Sequence, residues 1–166
     1  MTDISFESAR WNGPRIVTIG GGHGLSSLLR GLKKYTENVT AIVTVADDGG
    51  NSGKLRNDLG MPPPGDIRNC LLALSNTEPL LESLIDYRFT EGSLKGNSVG
   101  NLVLAALNDI CGSFSVAVSQ LSQILAISGR VLPVTDENII LMAELENGVK
   151  VLGESMIAKC KKQQDC

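Results

Sequence analysis

The sequence predicts an α/β fold of three layers, in which a Rossmann-like parallel sheet carries helices on both faces. Three observations lead to this prediction. The apolar, β-branched run "RIVTIG" breaks into glycines and continues as a helical repeat of leucines. The run "VTAIVTV" is apolar almost throughout, as in a parallel strand that is covered on both faces. The segments that follow repeat apolar residues at helical spacing. Because few strands follow them, we expect the sheet to be incomplete at its C-terminal end.

Length and composition indicate one domain with a substantial core. The chain has 166 residues, of which 42% are hydrophobic, and this is enough to bury a core. Its 15 basic and 18 acidic residues form no long run of one sign, which disfavours binding to nucleic acids or to membrane surfaces. We expect a short flexible leader at residues 1–14, which lacks the apolar core of a signal peptide, and one nucleotide-binding domain at residues 15–166.

The cysteines indicate a reducing compartment. Cys70, Cys111, Cys160 and Cys166 form no CxxC pair, and the first two lie in apolar segments where a free thiol acts as a small hydrophobic side chain. No apolar stretch has the length of a transmembrane helix. These features predict a cytoplasmic protein.

The first predicted strand ends in a glycine cluster that is typical of anion-binding turns. A glycine-rich turn between a strand and a helix lets backbone N–H groups approach a phosphate, and the helix N-terminus adds partial positive charge. The motif "GHGLSS" matches the dinucleotide fingerprint except that Ser27 replaces its third glycine, and the sequence contains no Walker A motif. A tight turn without a ligand explains the glycines equally well. Three explanations of His23 remain open: it contacts a phosphate, it acts as an acid or base, or it only forms part of the turn.

Two carboxylates, Asp47 and Asp48, follow the second predicted strand. In doubly wound folds this edge of the sheet binds ligands, and an acid there accepts hydrogen bonds from ribose hydroxyls. Mg²⁺ is a second explanation, since it binds one or two carboxylates together with substrate phosphates, and Asp48 is the candidate metal ligand. The third explanation is that the pair caps a turn with Gly49 and Gly50.

The Gly- and Pro-rich stretch "GGNSGKLRNDLGMPPPG" is predicted to be a long irregular loop, and such loops inside compact domains are usually functional. It carries Lys54 and Arg56, which are either solvated loop charges or phosphate ligands. Asp66 is the expected N-cap of the next helix. Arg68 opposes the dipole of that helix, so we expect it to pair with an anion, either Asp66 or a ligand phosphate. The polar side chains that would complete a phosphate clamp are Asn51, Ser52 and Asn69.

Further helices are predicted over "PLLESLIDYRF", over the segment after "GNSVGN" and over "FSVAVSQLSQILAI". Asn97 or Ser98 is expected to cap the second of these, and capping alone does not account for Asn97, Ser98 and Asn101 together. "RVLPV" predicts a short strand, and "NIILMAELENGVKVLGE" predicts a hairpin that turns at Asn147 and Gly148. The tail "AKCKKQQDC" shows no closing element, so we expect a fragment or a shortened chain.

Four motifs in the same order resemble the gluconeogenesis factor family, whose YvcK-like members are related to CofD. They are "IGGGHGLSSLLRGLK", "VADDGGNSGKLR", "PPPGDIRNCLLALS" and "GNSVGNLVLAAL". The resemblance extends from Arg15 to Gly153 and corresponds to the N-terminal half of family members. At one position of the pattern, "GNSVGN" replaces the family's "GHSFGN", so that Asn97 and Val99 stand where relatives carry His and an aromatic residue.

The resemblance implies a Rossmann-like fold and cytoplasmic binding of a nucleotide sugar, typically UDP-N-acetylglucosamine. It also implies a regulatory role in cell-wall synthesis and cell shape on gluconeogenic carbon sources, which favours a binding protein over an enzyme and leaves the catalytic residues unknown. The CofD branch supplies the alternative, a transferase that moves a phospholactyl-type group from a guanine nucleotide to a deazaflavin with Mg²⁺. An NAD-dependent oxidoreductase is a third alternative, which Ser27 in place of the third glycine weakens. The partners we expect are the nucleotide sugar, cell-wall synthesis proteins and a second copy of the chain.

The predicted site combines these residues in four roles. The glycines bind the diphosphate, Asp47 and Asp48 bind ribose or metal, the basic residues neutralise phosphate, and the asparagines orient the sugar or base. The full predicted ligand-binding set is Gly20, Gly21, Gly22, His23, Gly24, Asp47, Asp48, Asn51, Ser52, Lys54, Arg56, Asp66, Arg68, Asn69, Asn97 and Asn101.

Overall fold

The structure, a computed structural model, describes residues 13–163. The predicted leader lies outside this range except for Gly13 and Pro14, and Cys166 lies outside it as well. Five strands and seven helices occur among the described residues. In chain order they are β1 (Ile16–Gly20), α1 (Gly22–Leu32), β2 (Val39–Val43), α2 (Gly50–Leu59), α3 (Gly65–Leu74), α4 (Pro79–Asp86), α5 (Val99–Cys111), α6 (Phe114–Ile124), β3 (Arg130–Pro133), β4 (Met142–Glu144), β5 (Lys150–Leu152) and α7 (Glu154–Gln163).

Three strands form a parallel sheet in the order β1-β2-β3. Ile16 of β1 lies opposite Val39 of β2, and Thr40 of β2 lies opposite Arg130 of β3. Helix α1 connects β1 to β2, and helices α2 to α6 lie between β2 and β3 along the chain. This arrangement confirms the predicted α/β fold with a Rossmann-like parallel sheet. β4 and β5 form a separate antiparallel hairpin.

The hydrophobic core lies against one face of the sheet, and α3 is at its centre. Every residue of α3 from Ile67 to Leu74 is buried except Asn69. Leu29 of α1 and Val43 of β2 are fully buried in the same cluster. Burial raises the pKa of the Cys70 thiol to about 12, so this cysteine acts as an apolar core side chain, as its sequence context predicts.

The opposite face of the sheet is open within the described part of the chain. Side chains of a strand alternate between the two faces, and on this face Val17, Ile19 and Leu132 are 63%, 75% and 45% exposed. In the middle strand, Ile42 lies opposite both Ile19 and Leu132 and is half-buried. This face therefore presents a row of apolar side chains that crosses all three strands.

Helix α2 occupies Gly50–Leu59 of the stretch after Asp48, so the prediction of an irregular loop is wrong there, whereas residues 60–64 are irregular as predicted. Helix α2 lacks an apolar stripe because its buried residues are Gly53 and Arg56. Gly53 packs directly on the backbone of Asp48, and Gly60 ends the helix in the left-handed conformation with φ +65°. Hydrophobic periodicity could not detect a helix that packs through a glycine and an arginine.

The starts of two other helices differ from prediction. Pro64, not Asp66, stands at the N-cap position of α3, and no side chain caps that helix. Helix α7 occupies the tail in which no closing element is predicted. The Asp48 carboxylate accepts a hydrogen bond of 2.8 Å from the Ser155 N–H in its first turn. The start of α7 therefore depends on a residue far away in the sequence, which a local pattern does not reveal.

The remaining predicted elements are confirmed. Helix α4 begins at Pro79, and Ser98 caps α5 by accepting a hydrogen bond from the Asn101 N–H. The hairpin turns at Asn147 and Gly148, where the Asn147 side chain accepts from a backbone N–H and Gly148 has φ +81°.

Candidate functional site

The glycine turn at the end of β1 is packed tightly against two polar side chains. A Cβ atom on Gly21 would overlap the Thr44 hydroxyl and would lie 2.5 Å from Oδ2 of Asp66. Only glycine fits at this position. The next residue, Gly22, begins α1 with φ +66°, a conformation that L residues with side chains rarely adopt. The sequence therefore uses glycine at both positions for a geometric reason.

Asp66 contacts the glycine turn from the first turn of α3. Its carboxylate accepts a hydrogen bond from the Gly22 N–H at the start of α1. Burial raises the pKa of Asp66; the Gly22 hydrogen bond lowers it, the Asp47 carboxylate raises it further and His23 lowers it. Asp66 is thus a half-buried acid that connects the first turn of α3 to the glycine turn.

The raised pKa of Asp66 makes its stability contribution dependent on pH. The folded chain binds the carboxyl proton more tightly than the unfolded chain, so stability falls as pH rises above about 4, the usual pKa of aspartate. We expect Asp66→Asn to remove this fall while its amide oxygen still accepts from Gly22. Urea unfolding of both proteins from about pH 3 to pH 7 should show the variant gaining stability over the wild type as pH rises. A difference that stays constant with pH would contradict this role of Asp66.

The two carboxylates after β2 hold neighbouring segments of the chain. Oδ1 of Asp47 accepts from the Gly49 N–H at 2.8 Å, which forms the turn that leads into α2. Asp48 accepts from Ser155, as described above. Burial raises the pKa of Glu154, and the carboxylates of Asp47, Asp66 and Asp48 raise it further. Four acidic side chains therefore lie near one another at the carboxyl ends of the strands.

Arg56 is a buried residue that connects distant segments. Its Nε donates to Asn138 Oδ1 at 2.6 Å, its Nη2 donates to the Ile139 carbonyl, and its Nη1 reaches the carbonyls of Ala46 and Asp47 at 3.4 Å. Only 4% of the residue is exposed. These contacts use the guanidinium inside the protein, and they favour a structural role over the predicted phosphate contact.

Helices α2, α3 and α5 meet at their first turns. The Asn101 amide of α5 donates to the Ser52 hydroxyl of α2 at 3.3 Å. A Cβ atom on Gly65 of α3 would lie 2.5 Å from the same hydroxyl. The Asn51 amide donates to the Lys95 carbonyl at 3.1 Å in the turn before α5. Ser52 of the predicted clamp therefore contacts Asn101, and Asn51 contacts the turn before α5, while the phosphate clamp itself stays a prediction.

Arg68 lies buried at this junction with part of its hydrogen-bonding capacity unused. Its Nη2 donates to Asn69 Oδ1 at 2.7 Å, and its Nη1 lies 3.6 Å from the exposed carboxylate of Asp86. Nε and Nη1 have no hydrogen-bond partner, nor does Oδ1 of the buried Asn101. Burial lowers the pKa of the Arg68 guanidinium, and Asp86 opposes this effect. The predicted partner Asp66 is not the anion that Arg68 contacts.

Three helix starts with no side-chain cap meet at the carboxyl edge of the sheet. The residues at the N-cap positions of α1, α2 and α3 are Gly21, Gly49 and Pro64. Apart from the Gly22 N–H, which donates to Asp66, such starts leave backbone N–H groups available to an anion and contribute partial positive charge. Asp66 and Gly65 connect α3 to the other two helices, so the three starts lie together.

The other predicted residues lie around this edge. His23 is exposed in the first turn of α1, Lys54 is exposed in the second turn of α2, and Asn97 is half-buried in the turn before α5. The sequence interpretation missed Thr44 and Glu154. Thr44 directly follows the apolar strand, which is the position that ligand-binding residues occupy in this fold class. Glu154 reaches the site through a tertiary contact and has no local signal.

No group of three or more His, Cys, Asp or Glu residues within the described range is arranged to hold a metal ion. The residues present do not form a ready Mg²⁺ site, and Asp48 already accepts from Ser155.

A cavity of about 850 Å³ lies at the amino ends of the strands and is lined in part by Arg15, Glu37 and Arg130. The predicted site residues lie at the opposite end of the sheet. None of the described helices has the length and apolar character that crossing a bilayer requires.

The fold and this edge define the class: a Rossmann-like α/β protein in which three helix starts without a side-chain cap lie beside a glycine turn. The family model described as 2-phospho-L-lactate transferase CofD matches residues 16–166. The chain belongs to the CofD family.

Sequence and structure comparisons place it close to the gluconeogenesis factors. A Thermoanaerobacterium thermosulfurigenes relative is 63% identical over 153 residues, which are 92% of this chain and 47% of that protein. The protein named gluconeogenesis factor in Bacillus subtilis (strain 168) is 56% identical over 145 residues, which are 87% of this chain and 46% of that protein. Protein BH3568 from Bacillus halodurans, of which a crystal structure is known, is 54% identical to this chain, and the two structures align with a TM-score of 0.83. The alignment covers 87% of this chain and 47% of that one. A second crystal structure describes the same protein as a member of the UPF0052 family. The chain thus spans about half the length of the relatives it matches.

Proposed function

We propose that the chain binds a nucleotide sugar of the UDP-N-acetylglucosamine type at the carboxyl edge of its sheet and acts as a regulatory protein. The observation that carries the proposal is the meeting of three uncapped helix starts beside the glycine turn of β1. A diphosphate has the charge and the acceptor oxygens that such backbone N–H groups bind. The glycines at 21 and 22 let it approach the backbone closely.

Neighbouring side chains supply the groups that the rest of such a ligand needs. Asp47 and Thr44 stand at the end of β2, where ribose hydroxyls bind in doubly wound folds. Lys54 is exposed in the second turn of α2, and we propose that its long side chain extends to the phosphates. Arg68 and Asn101 offer unused donors and an unused acceptor beneath the same helix starts.

The relatives that carry the name gluconeogenesis factor support the proposal of a regulatory role. We propose a cytoplasmic protein that acts on cell-wall synthesis and cell shape during growth on gluconeogenic carbon sources, in contact with cell-wall synthesis proteins and with a second copy of itself. The second candidate is a CofD-type transferase, which the match to the transferase family model favours. Incubation with a guanine nucleotide donor and a deazaflavin acceptor separates the two, because only the transferase forms a product.

Thermal unfolding tests the ligand class. UDP-N-acetylglucosamine should stabilise the chain more than NAD or GTP does at equal concentration. A ligand that binds only the folded state at a hundredfold excess over Kd contributes about 2.7 kcal/mol, which a melting curve resolves. The same series is run on the chain joined to the part of the Bacillus halodurans relative that it does not span. Stabilisation of that longer protein by NAD, with none by the UDP-sugar, would show a dinucleotide site in its place.

A further inference from the structure

The segment that contains the β4–β5 hairpin is attached at both of its ends to the carboxyl edge of the sheet. At its first end, Arg56 donates to Asn138 Oδ1 at 2.6 Å and also reaches the carbonyl of the residue before Asp48. At its other end, Asp48 Oδ1 accepts from the Ser155 N–H at 2.8 Å. Both attachments therefore involve the same turn after β2, and residues 138–155 form a strap whose two ends are held at one place.

Between its attachments the strap is almost entirely exposed. From residue 132 to residue 160 every residue is exposed or half-buried except Gly153. Met142 and Leu152, which lie opposite each other in the hairpin, are 51% and 59% exposed. A two-stranded hairpin on its own is only marginally stable in water. The position of the strap therefore depends on its two polar attachments and on Gly153.

Gly153 joins the hairpin to α7 and packs on the Asp48 carboxylate. A Cβ atom on Gly153 would overlap Asp48 Oδ2, and the residue has a φ of +91°, in the region that favours glycine. Because glycine adopts more backbone conformations than any other residue, the chain can change direction here. The start of α7 can thus turn away from Asp48 once the hydrogen bond from Ser155 is broken.

The attachment at Asp48 also brings like charges together. Burial raises the pKa of Glu154 in the first turn of α7, and the carboxylates of Asp47, Asp66 and Asp48 raise it further. The Glu154 side chain makes no hydrogen bond or ion pair with the part of the chain that the structure describes. Since Asp66 contacts the glycine turn, Glu154 lies close to the place where the proposed diphosphate would add more negative charge.

Glu154 is the carboxylate of this group that can move. Asp47 is held by the Gly49 N–H, and Asp66 is held by the Gly22 N–H. Glu154 has no such bond and stands directly after the flexible position at 153. Added negative charge at the glycine turn therefore acts against the attachment of α7 rather than against the turn itself.

We infer that binding of the diphosphate releases the strap. Glu154 moves away from the added charge, the hydrogen bond from Ser155 to Asp48 breaks, and Arg56 continues to hold the other end. The inference rests on the proposed function, because it assigns a consequence to ligand binding at the same site. Release changes the position of the exposed hairpin only when the ligand is bound, and this gives a regulatory protein a ligand-dependent surface.

Amide hydrogen exchange at single residues tests the release. In the ligand-free chain the Ser155 amide should be protected by its bond to Asp48, and saturating UDP-N-acetylglucosamine should raise its exchange rate by roughly tenfold or more. The Gly49 amide is the matched control, because it donates to the Asp47 carboxylate at the same edge, also at 2.8 Å, and does not belong to the strap. It should stay protected. Calorimetric titration of the same samples measures whether the ligand is bound.

Three variants identify the cause of the release. Glu154→Gln removes the repelled charge, so the Ser155 amide should stay protected when the ligand binds. Glu144→Gln removes an exposed charge in β4 and should behave like the wild type. Asp48→Ala removes the attachment, so the Ser155 amide should exchange rapidly with and without ligand.

Each failure has its own signature. Slow exchange at Ser155 in a sample for which calorimetry shows binding would overturn the inference and leave the proposed function intact. Release of equal extent in the Glu154→Gln and wild-type proteins would overturn it as well, because repulsion of Glu154 would not be the cause. Absence of binding would overturn the proposed function and the inference with it.

Discussion

Alanine at position 21 is expected to lower the affinity of the chain for its nucleotide ligand by roughly tenfold or more and to destabilise the fold by about 1–3 kcal/mol. The added Cβ atom would overlap the Thr44 hydroxyl and approach Asp66 Oδ2 to 2.5 Å, so that either the glycine turn or α3 must shift. A shift of the turn moves the backbone N–H groups away from the diphosphate. Calorimetric titration and urea unfolding measure the two effects on the same variant.

Gly24→Ala is the matched control for this substitution. A Cβ atom on Gly24 meets nothing within 4 Å, although the residue lies in the same turn of α1. Alanine is also the better helix former, by about 1 kcal/mol, so this variant should bind the ligand normally and melt at or above the wild-type temperature. Equal affinity in the Gly21→Ala and Gly24→Ala proteins would remove the phosphate role of the turn.

Arg56→Ala is expected to cause the largest loss of stability, about 3 kcal/mol, with a fall in Tm of roughly 6–12 °C. Three backbone carbonyls and the Asn138 side chain would lose the donor that joins them. A buried acceptor without a partner costs about 1–3 kcal/mol, and the aliphatic part of the arginine would leave a cavity. Thermal unfolding of the ligand-free protein measures the change.

Lys54→Ala serves as the comparison for Arg56, since Lys54 is an exposed cation on the same helix. It should leave Tm within about 1 °C of the wild type, as exposed substitutions usually do. If Arg56→Ala instead left Tm unchanged and abolished ligand binding, the guanidinium would be a phosphate ligand, as the sequence first suggests, and its internal contacts would be secondary.

The sequence predicts correctly those elements whose residues interact mainly with near neighbours in the chain. β1, α1 and β2 have apolar residues at strand and helix periodicity, and Ser98 caps α5 through a contact three residues away. The sequence indicates the glycine turn as a candidate phosphate site, because glycine lets the backbone N–H groups approach a phosphate closely. The sequence indicates Asn51 and Ser52 as ligand-binding residues of a loop and Asn101 as one beside a helix start, and the structure brings them together at the junction of α2 and α5.

The parts that the sequence could not predict depend on long-range contacts. Arg56 looked like a loop charge because its partners at 138 and 139 are more than 80 residues away. Asp66 looked like the cap of its own helix, but its carboxylate accepts from Gly22 of another one. The buried residues of helix α2 are a glycine and an arginine, and neither contributes to the hydrophobic periodicity by which a helix is recognised in a sequence. In each case a tertiary contact replaced the local interaction that the spacing predicts.

The central claim is that a nucleotide diphosphate binds at the carboxyl edge of the sheet, and a crystal structure with UDP-N-acetylglucosamine tests it most directly. The protein is this chain joined to the part of the Bacillus halodurans relative that it does not span. We expect the diphosphate oxygens to accept hydrogen bonds from backbone N–H groups in the first turn of α1, beside Gly21 and Gly22. Density for the ligand in the cavity at the amino ends of the strands, between Arg15 and Arg130, with none at the glycine turn, would contradict the account.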